Sequence, residues 1–325
     1  MSDSIQISII CFAYNHEKYI RQCLDGFLMQ KDVTFEIIIH DDASTDKTQD
    51  IIREYENKYP DLFRPIYQTE NKYSTHNNLE SDFIVQHITG DFVAVCEGDD
   101  FWTDPYKLKK QYDALEANPE CLMCAHKVRV ANSDGTDAGY SCPRNDIKTV
   151  SLPVGYICDN YENAKYIHTS SLFLRADIYK KYLYSPPTFR EVAPVGDIPL
   201  LLYFTSLGKI YFMNEVMSVY RFMSDGSWSY RNKNDPEKES RRREIDKKMV
   251  KMFSEFCRFT DNKYYEDLKC EIDKYRQNEY WYCIEHHDYK SLFKEFSIKE
   301  LEEFGLGRKA RLKMRLQMWF PRIFV

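Results

Sequence analysis

Short apolar segments alternate with amphipathic helical patterns over the first 230 residues, and this alternation constrains the fold more than any other feature. The segment Ile20 to Leu28 carries its apolar residues at the spacing of one helical face. Four segments are short and rich in β-branched or aromatic residues, as buried strands are: Ile5 to Phe12, Phe35 to Ile39, Phe63 to Tyr67 and Phe92 to Cys96. Strands that alternate with helices predict an α/β fold with a mostly parallel sheet flanked by helices.

Composition changes near residue 230. Of the 45 Lys and Arg and the 51 Asp and Glu, 41 lie in residues 231–325, whereas only four of the 11 Gly and 12 Pro lie there. Apolar residues in this region recur on one helical face, as in Met249, Met252, Phe253 and Phe256. The sequence therefore predicts a turn-rich mixed domain over residues 1–230 and a charged helical region over residues 231–325.

Charge and hydropathy exclude several classes of protein. The longest uncharged run, Ser4 to His16, has 13 residues, fewer than a membrane-spanning helix requires. The first residues lack the basic and apolar regions of a secretory signal, so we expect a cytoplasmic protein whose ten cysteines are reduced thiols. The net charge of −6 argues against a nucleic-acid partner.

Polar residues cluster where three of the predicted strands end, at Tyr14 to His16, Asp41 to Asp46 and Glu97 to Asp100. In open parallel sheets, ligands bind beyond the carboxyl ends of the strands. An acidic pair there is often only a helix cap with a solvated neighbour. Two pairs that face one cleft repel each other unless a cation lies between them, which favours Mg²⁺ or Mn²⁺ bound together with a substrate diphosphate. The glycine-rich signatures of P-loop and dinucleotide-binding proteins are absent.

Three segments in this order, Ile7 to Asn15, Ile38 to Asp46 and Glu97 to Trp102, resemble the successive signatures of family 2 glycosyltransferases. The resemblance covers about residues 5 to 225. It implies a GT-A fold, which is a Rossmann-like mostly parallel sheet, together with a nucleotide-sugar donor, a divalent metal and inversion at the anomeric carbon. Two other hypotheses stay open. They are a non-catalytic nucleotide-binding subunit of a polysaccharide assembly and a sugar nucleotidyltransferase, although Phe12 to Lys18 lacks the glycine-rich loop of the latter class.

Carried over position by position, the resemblance implies that Asp42 accepts a hydrogen bond from uracil and that Ala13 and Tyr14 line the base pocket. It makes Asp100 the direct ligand of Mn²⁺ or Mg²⁺, and it places Asp99 in the same metal-binding pair, in contact with the ribose or with the water shell of the metal. The preferred donor is a UDP-sugar. The chain departs from the common pattern at Phe12, where many members have proline, and at Ala43, where they have glycine. In the segment from Glu70 to Asn78, only Lys72 is available to bind the pyrophosphate.

The resemblance also identifies catalytic candidates later in the first domain. Asp197 opens a predicted helix and is the preferred general base, although helix capping would explain the same residue, and Glu191 is a second candidate. His168 corresponds to a position near the sugar or acceptor, but a buried histidine that only makes hydrogen bonds would look the same. The Trp102 ring is expected to pack on the donor sugar or acceptor, or else in the core. Residues Tyr220 to Trp228 are a candidate lid.

The C-terminal segment Gly307 to Val325 contains six basic residues and no acidic one, with Leu312, Leu316, Trp319 and Phe320 on one helical side. A basic amphipathic helix that carries tryptophan is typical of contact with an anionic membrane surface. Docking on the acidic remainder of the chain is the alternative. The two interpretations of this segment are about equally supported, and the first would place the cytoplasmic protein at the inner face of the membrane. The resemblance favours transfer to a saccharide or lipid-linked saccharide, in the synthesis of surface or capsular polysaccharide.

Overall fold

The computed structural model describes residues 6–72, 80–225 and 227–319, with Trp228, Asn232, Lys233 and Trp319 described in their backbone only. The first part of the chain alternates strands and helices as predicted. Its elements are β1 (Ile7–Ala13), α1 (Ile20–Leu28), β2 (Phe35–Asp41), α2 (Thr48–Lys58), β3 (Phe63–Tyr67) and β4 (Phe92–Glu97). Strand β1 pairs in parallel with both β2 and β4, and β2 pairs in parallel with β3. The carboxyl ends of these strands therefore meet at one edge of the sheet.

The second part of the sheet is mixed. Its elements are β5 (Phe101–Trp102), α3 (Lys107–Ala117), β6 (Cys121–Ala131), β7 (Asp137–Cys142), β8 (Val150–Leu152), α4 (Tyr156–Asp159), α5 (Tyr161–Ala164), β9 (Phe173–Arg175), α6 (Ala176–Tyr184), α7 (Thr188–Glu191), α8 (Asp197–Leu207) and β10 (Lys209–Arg221). The order is β3-β2-β1-β4-β9-β6-β10-β5. Strand β9 lies antiparallel between β4 and β6, whereas the long β6 and β10 pair in parallel. The longest ladders are parallel, which confirms the predicted α/β fold.

The two faces of the sheet bury two hydrophobic clusters. Successive side chains of a strand point to opposite faces, so Ile9 and Cys11 of β1 pack beneath α1, α2 and α3. Ile10, on the other face, joins the cluster formed with α6 and α8. Because both faces are covered, β1 reads in the sequence as a continuous apolar run rather than as an alternating one.

The C-terminal region is helical, as the composition predicts. It consists of α9 (Trp228–Asn234), α10 (Lys238–Phe259), α11 (Tyr265–Glu285), α12 (Tyr289–Glu295), α13 (Ile298–Glu303) and α14 (Arg308–Trp319). Phe253 and Phe256 of α10 are fully buried in the same cluster as α8, and the ring of Phe256 lies 5.2 Å from that of Phe189. Helix α10 thus completes the core of the first 230 residues. Within the described ranges, no helix is both long and apolar enough to cross a bilayer.

Candidate active site

The loops that follow β1 and β2 are tied together by hydrogen bonds. The N–H of Asn15 donates to Ser44 Oγ at 2.9 Å, and the N–H of Thr45 donates to Asn15 Oδ1 at 2.8 Å. Asp41 accepts hydrogen bonds from the Ser44 N–H at 3.0 Å and from the Gln49 amide at 2.6 Å, which fixes the start of α2. These contacts join the first two polar loops into one rigid rim.

The three residues expected to hold the nucleotide lie along this rim. Ala13 is the last residue of β1 and is 3% exposed, and Tyr14 follows it at the start of the loop. Asp42 is buried, and its Oδ1 accepts a hydrogen bond from the Lys72 N–H at 2.7 Å. The Lys72 ammonium lies 3.1 Å from Glu70, while residues 73–78 of the expected pyrophosphate segment lie outside the described residues.

Ala43 has a backbone φ of 60°, in the left-handed region. This is the position where the resembled family carries glycine, and L-residues other than glycine are strained there. We expect Ala43→Gly to raise the free energy of unfolding by about 1 kcal/mol, measured by urea denaturation. In the control Ala114→Gly, inside α3, we expect a loss of about 1 kcal/mol. Destabilisation by both substitutions would contradict the strain at Ala43.

The third polar loop is anchored from both sides. The Gly98 N–H donates to Phe12 O at 2.8 Å, which ties the end of β4 to β1. Asp100 is 1% exposed, and its Oδ1 accepts from the Arg221 N–H at 2.9 Å. The Arg221 guanidinium donates to the carbonyl oxygen of Asp99, and Ser224 Oγ donates to Asp99 Oδ2 at 2.5 Å. Arg221, at the end of β10, therefore holds the acidic pair in place.

Glu97, Asp100 and His168 form a cluster in which one possible ligand atom from each residue lies within 4.8 Å of the others. The imidazole Nδ1 of His168 is 3.7 Å from Asp100 Oδ2. The imidazole ring stacks on the ring of Tyr220, with 4.0 Å between the two ring centroids. Glu97 Oε2 is buried without a hydrogen-bond partner among the described residues. Two carboxylates and an imidazole with one unsatisfied oxygen fit a divalent cation such as Mn²⁺.

The metal ligands predicted from the sequence, Asp100 and Asp99, overlap this cluster in one residue. Asp100 belongs to it, whereas Asp99 accepts the hydrogen bond from Ser224 and lies 4.0 Å from His16 Nε2. Sequence reasoning gave Glu97 no role, although it begins the same motif at the end of β4. The position of a carboxylate at the carboxyl end of a buried strand was the signal that could have identified it.

Burial changes the protonation of this cluster. It raises the pKa of Glu97 to about 8, with the negative charges of Asp99 and Asp197 acting in the same direction. Burial and the charges of Asp99 and Glu97 also raise the pKa of Asp100 well above its usual value. The pKa of His168 falls to about 4 because the ring is desolvated, so the imidazole is neutral at neutral pH, as metal ligation requires. The metal-free cluster thus disfavours ionised carboxylates, and a cation would remove that penalty.

The raised pKa of Glu97 predicts a pH-dependent gain in stability for Glu97→Gln. Between the unfolded pKa of about 4.3 and the folded pKa of about 8, folded Glu97 holds a proton that the unfolded chain has lost, so parent stability falls as pH rises. We expect the free energy of unfolding of Glu97→Gln to exceed that of the metal-free parent by an amount that grows as pH rises from about 4.3 to about 8. Urea denaturation at several pH values measures this difference, to which Asp100 contributes with the same sign because the charge of Glu97 also raises its pKa. A difference that is constant with pH would contradict the raised pKa.

Asp197 is the first residue of α8, and its negative charge helps to raise the pKa of Glu97. The helix N-cap residue is Gly196, and Asp197 Oδ1 accepts only the N–H of its neighbour Ile198, at 2.8 Å, among the hydrogen bonds of the described residues. Simple N-capping therefore does not account for the side chain. Burial raises the pKa of Asp197 above its usual value. Glu191, the other candidate base, is exposed at the end of α7.

Trp102 lies in the core, which is the second of its two expected positions, and not at the donor site. The ring is 2% exposed and packs in the core at 4.6 Å from the ring of Phe27, so it does not offer a face to the sugar. Its Nε1–H donates to Ser170 O at 3.1 Å, and Gln111 Nε2 donates to Ser171 O at 2.8 Å. Trp102 thus supports the turn that follows His168, which is a structural role.

Two residues of the candidate lid have a different place in the structure. Tyr220 and Arg221 were expected in a lid, but Arg221 is 4% exposed and Tyr220 is stacked on His168. Both are part of the site floor at the end of β10. The candidate lid also includes Gly226 and the Trp228 side chain, which lie outside the described residues.

A mostly parallel sheet with a polar cluster at the carboxyl ends of its strands is typical of α/β proteins that bind a ligand at this edge. Comparison with known families is more specific. The profile of the family described as "Glycosyl transferase family 2" matches residues 8–181, which is more than half of the chain. The chain belongs to this family, and the resemblance noted in the sequence is confirmed.

Two relatives are similar to this chain over part of its length. An uncharacterised protein of Mycobacterium tuberculosis is 36% identical over 227 residues, which is 68% of this chain and 60% of that protein, so the chain spans well under the full length of this relative. A Bacillus subtilis protein, TuaG, whose name assigns it to teichuronic acid biosynthesis, is 33% identical over 130 residues, 40% of this chain and 49% of TuaG.

Two solved structures share the fold. Residues 1–349 of Staphylococcus aureus TarS, in complex with UDP, superpose with a TM-score of 0.52 at 17% identity, covering 77% of this chain and 72% of that one. The mannosyltransferase PcManGT of Pyrobaculum calidifontis, in complex with GDP-Man and Mn²⁺, has a TM-score of 0.55 at 14% identity, covering 98% of this chain and 85% of the other. The chain therefore has the GT-A fold with a helical C-terminal region.

Proposed function

We propose that the chain is a metal-dependent, inverting glycosyltransferase that moves a sugar from a nucleotide diphosphate to a saccharide or lipid-linked saccharide. The observation that carries this proposal is the cluster of Glu97, His168 and the buried Asp100, at the same edge of the sheet as the loops that follow β1 and β2. A site of this kind supplies a cation position for the diphosphate and a separate carboxylate for proton transfer.

The donor would lie with its base against Ala13, Tyr14 and Asp42 and with its diphosphate towards Asp100. Glu97, Asp100 and His168 would hold Mn²⁺ or Mg²⁺, with Asp99 near its coordination shell. The bound metal would supply counter-charge to the departing diphosphate. Binding of UDP by TarS supports a uridine nucleotide, and the bound GDP-Man of PcManGT makes guanosine the alternative to test.

Asp197 would act as the general base. As the acceptor hydroxyl oxygen bonds to the anomeric carbon, the bond from that carbon to the diphosphate oxygen breaks and the hydroxyl proton passes to the Asp197 carboxylate. One displacement of this kind inverts the anomeric configuration. The raised pKa of Asp197 makes its carboxylate a stronger base than an exposed aspartate. The name of TuaG supports an acceptor in surface polysaccharide synthesis.

A thermal-shift screen of UDP-sugars and GDP-sugars, each with and without Mn²⁺ or Mg²⁺, tests the proposal. A donor at about 100 times its Kd stabilises the folded protein by about 2.7 kcal/mol, so the unfolding temperature should rise for one nucleotide class only when metal is present. Release of the free nucleotide, with an acceptor saccharide added, would then report transfer. No shift with any nucleotide sugar would overturn the proposal.

A further inference from the structure

Helix α14 presents two different faces, and only one of them packs on the protein. Arg311 is 9% exposed, and its guanidinium donates to Leu306 O and to Glu302 Oε1, both at 2.6 Å. Ala310 and Met314, on the same face, pack against the small cluster that includes Leu301 and Leu306. The helix is therefore docked and oriented by this face. Docking on the protein, which was the alternative to membrane contact, uses only part of the helix surface.

The opposite face is apolar at its centre and exposed. Leu312 is 60% exposed, and Leu316, one turn later, is 39% exposed. Trp319 continues the same line in the sequence, although its side chain lies outside the described residues, as do Phe320 and Arg322. An exposed pair of leucines on a docked helix is an apolar strip without a partner in the described part of the chain.

Cations flank this strip on both sides. At 3.6 residues per turn, Arg308 and Arg315 fall on one side of the two leucines, and Lys309 and Lys313 fall on the other. Arg315 lies over the ring of Phe293 at 4.9 Å. For Arg308, Lys309 and Lys313, the described residues provide no ion-pair partner within 4.0 Å. The exposed face thus combines an apolar centre with four cations and no acid.

We propose that this face of α14 lies on the surface of an anionic bilayer, with Leu312 and Leu316 at the acyl boundary and the cations against lipid phosphates. Apolar contact alone would suit another protein surface, but cations on both sides of a narrow apolar strip complement a continuous plane of negative charge. The remaining chain carries the opposite sign, since the whole sequence has a net charge of −6 despite this basic segment. The inference goes beyond the proposed function, because it depends on neither donor nor metal.

Co-sedimentation of the full chain with vesicles tests the inference. We expect binding to vesicles of equal parts phosphatidylcholine and phosphatidylglycerol, little binding to phosphatidylcholine alone, and weaker binding as salt increases. The substitution Lys309→Gln with Lys313→Gln should weaken binding by roughly 30-fold. The pair Leu312→Ser with Leu316→Ser should weaken it by roughly tenfold or more. Both pairs are on the exposed face, so the helix should stay docked.

Matched controls separate this face from general charge effects. Lys269→Gln with Lys290→Gln removes the same charge from two exposed positions on α11 and α12 and should leave vesicle binding unchanged. Equal loss in this control would overturn the proposal, as would failure of the parent to bind anionic vesicles. Self-association of the parent that the leucine pair abolishes, without vesicle binding, would assign the face to a second copy and also overturn it. Donor-dependent thermal shifts should be the same in all of these variants, so failure here and failure of the proposed function are distinguishable.

Discussion

Replacing Asp100 with asparagine is expected to abolish Mn²⁺-dependent donor binding while raising the thermal stability of the metal-free protein. Asparagine keeps the acceptor for the Arg221 N–H, which lies 2.9 Å from Asp100 Oδ1, but removes the negative charge. Without that charge the metal affinity should fall by about 10²-fold or more, and the diphosphate loses its counter-charge. Titration calorimetry with Mn²⁺ and UDP measures the loss.

The expected gain in stability has the same cause as the loss of metal binding, namely removal of the negative charge of Asp100. Burial and the charges of Asp99 and Glu97 raise the pKa of Asp100, so the ionised form is disfavoured in the folded protein and less so in the unfolded chain. A neutral side chain removes that penalty. The control is Asp61→Asn, at an exposed position between α2 and β3, which should change neither property. If Asp100→Asn binds Mn²⁺ as tightly as the parent protein does, the proposed metal site is wrong.

Replacing Asp197 with asparagine is expected to lower turnover by roughly 10² to 10⁴, with the donor affinity unchanged. The amide of asparagine can still accept the hydrogen bond from the Ile198 N–H, so the start of α8 should be preserved. What is lost is the group that takes the proton of the acceptor hydroxyl. Initial rates with saturating donor, together with donor titration by thermal shift, separate turnover from binding.

Glu191→Gln is the matched control for this prediction. Glu191 is exposed at the end of α7 and is the other carboxylate that the sequence offers as a base. A large loss of turnover in Glu191→Gln, with little loss in Asp197→Asn, would reassign the base. Tight UDP binding with product formation unaffected by either substitution would favour a nucleotide-binding subunit without catalysis. Weakened donor binding in Asp197→Asn would indicate a structural role for that residue.

The parallel part of the sheet could be predicted because local pattern and topology agree there. The continuous apolar run of β1 reflects burial on both faces, and the right-handed crossover rule then brings the ends of β1, β2 and β4 to one edge. The antiparallel insertion of β9 between β4 and β6 could not be predicted. Strand β9 has only three residues, and its pairing depends on partners distant in sequence.

The site was predictable to the extent that it lies on that edge. Asp100 could be identified from its motif, but its contact with His168 depends on β9, which carries the preceding turn into place. Trp102 ends the same motif, and its burial could not be seen because the ring is covered by Phe27 of α1, which is distant in sequence. For α14, apolar residues occur on both faces, so the amphipathic pattern alone did not show which face docks.

The helical region divides between two hydrophobic clusters. Helix α10 contributes Phe253 and Phe256 to the large core beneath the sheet, whereas α12, α13 and α14 bury a separate small cluster with the end of α11. Regions that share few buried contacts open with lower free energy than the main core. Movement of the last three helices would therefore disturb the small cluster before it reached the core beneath the sheet, so a contact made by the exposed face of α14 would leave the proposed donor site in place.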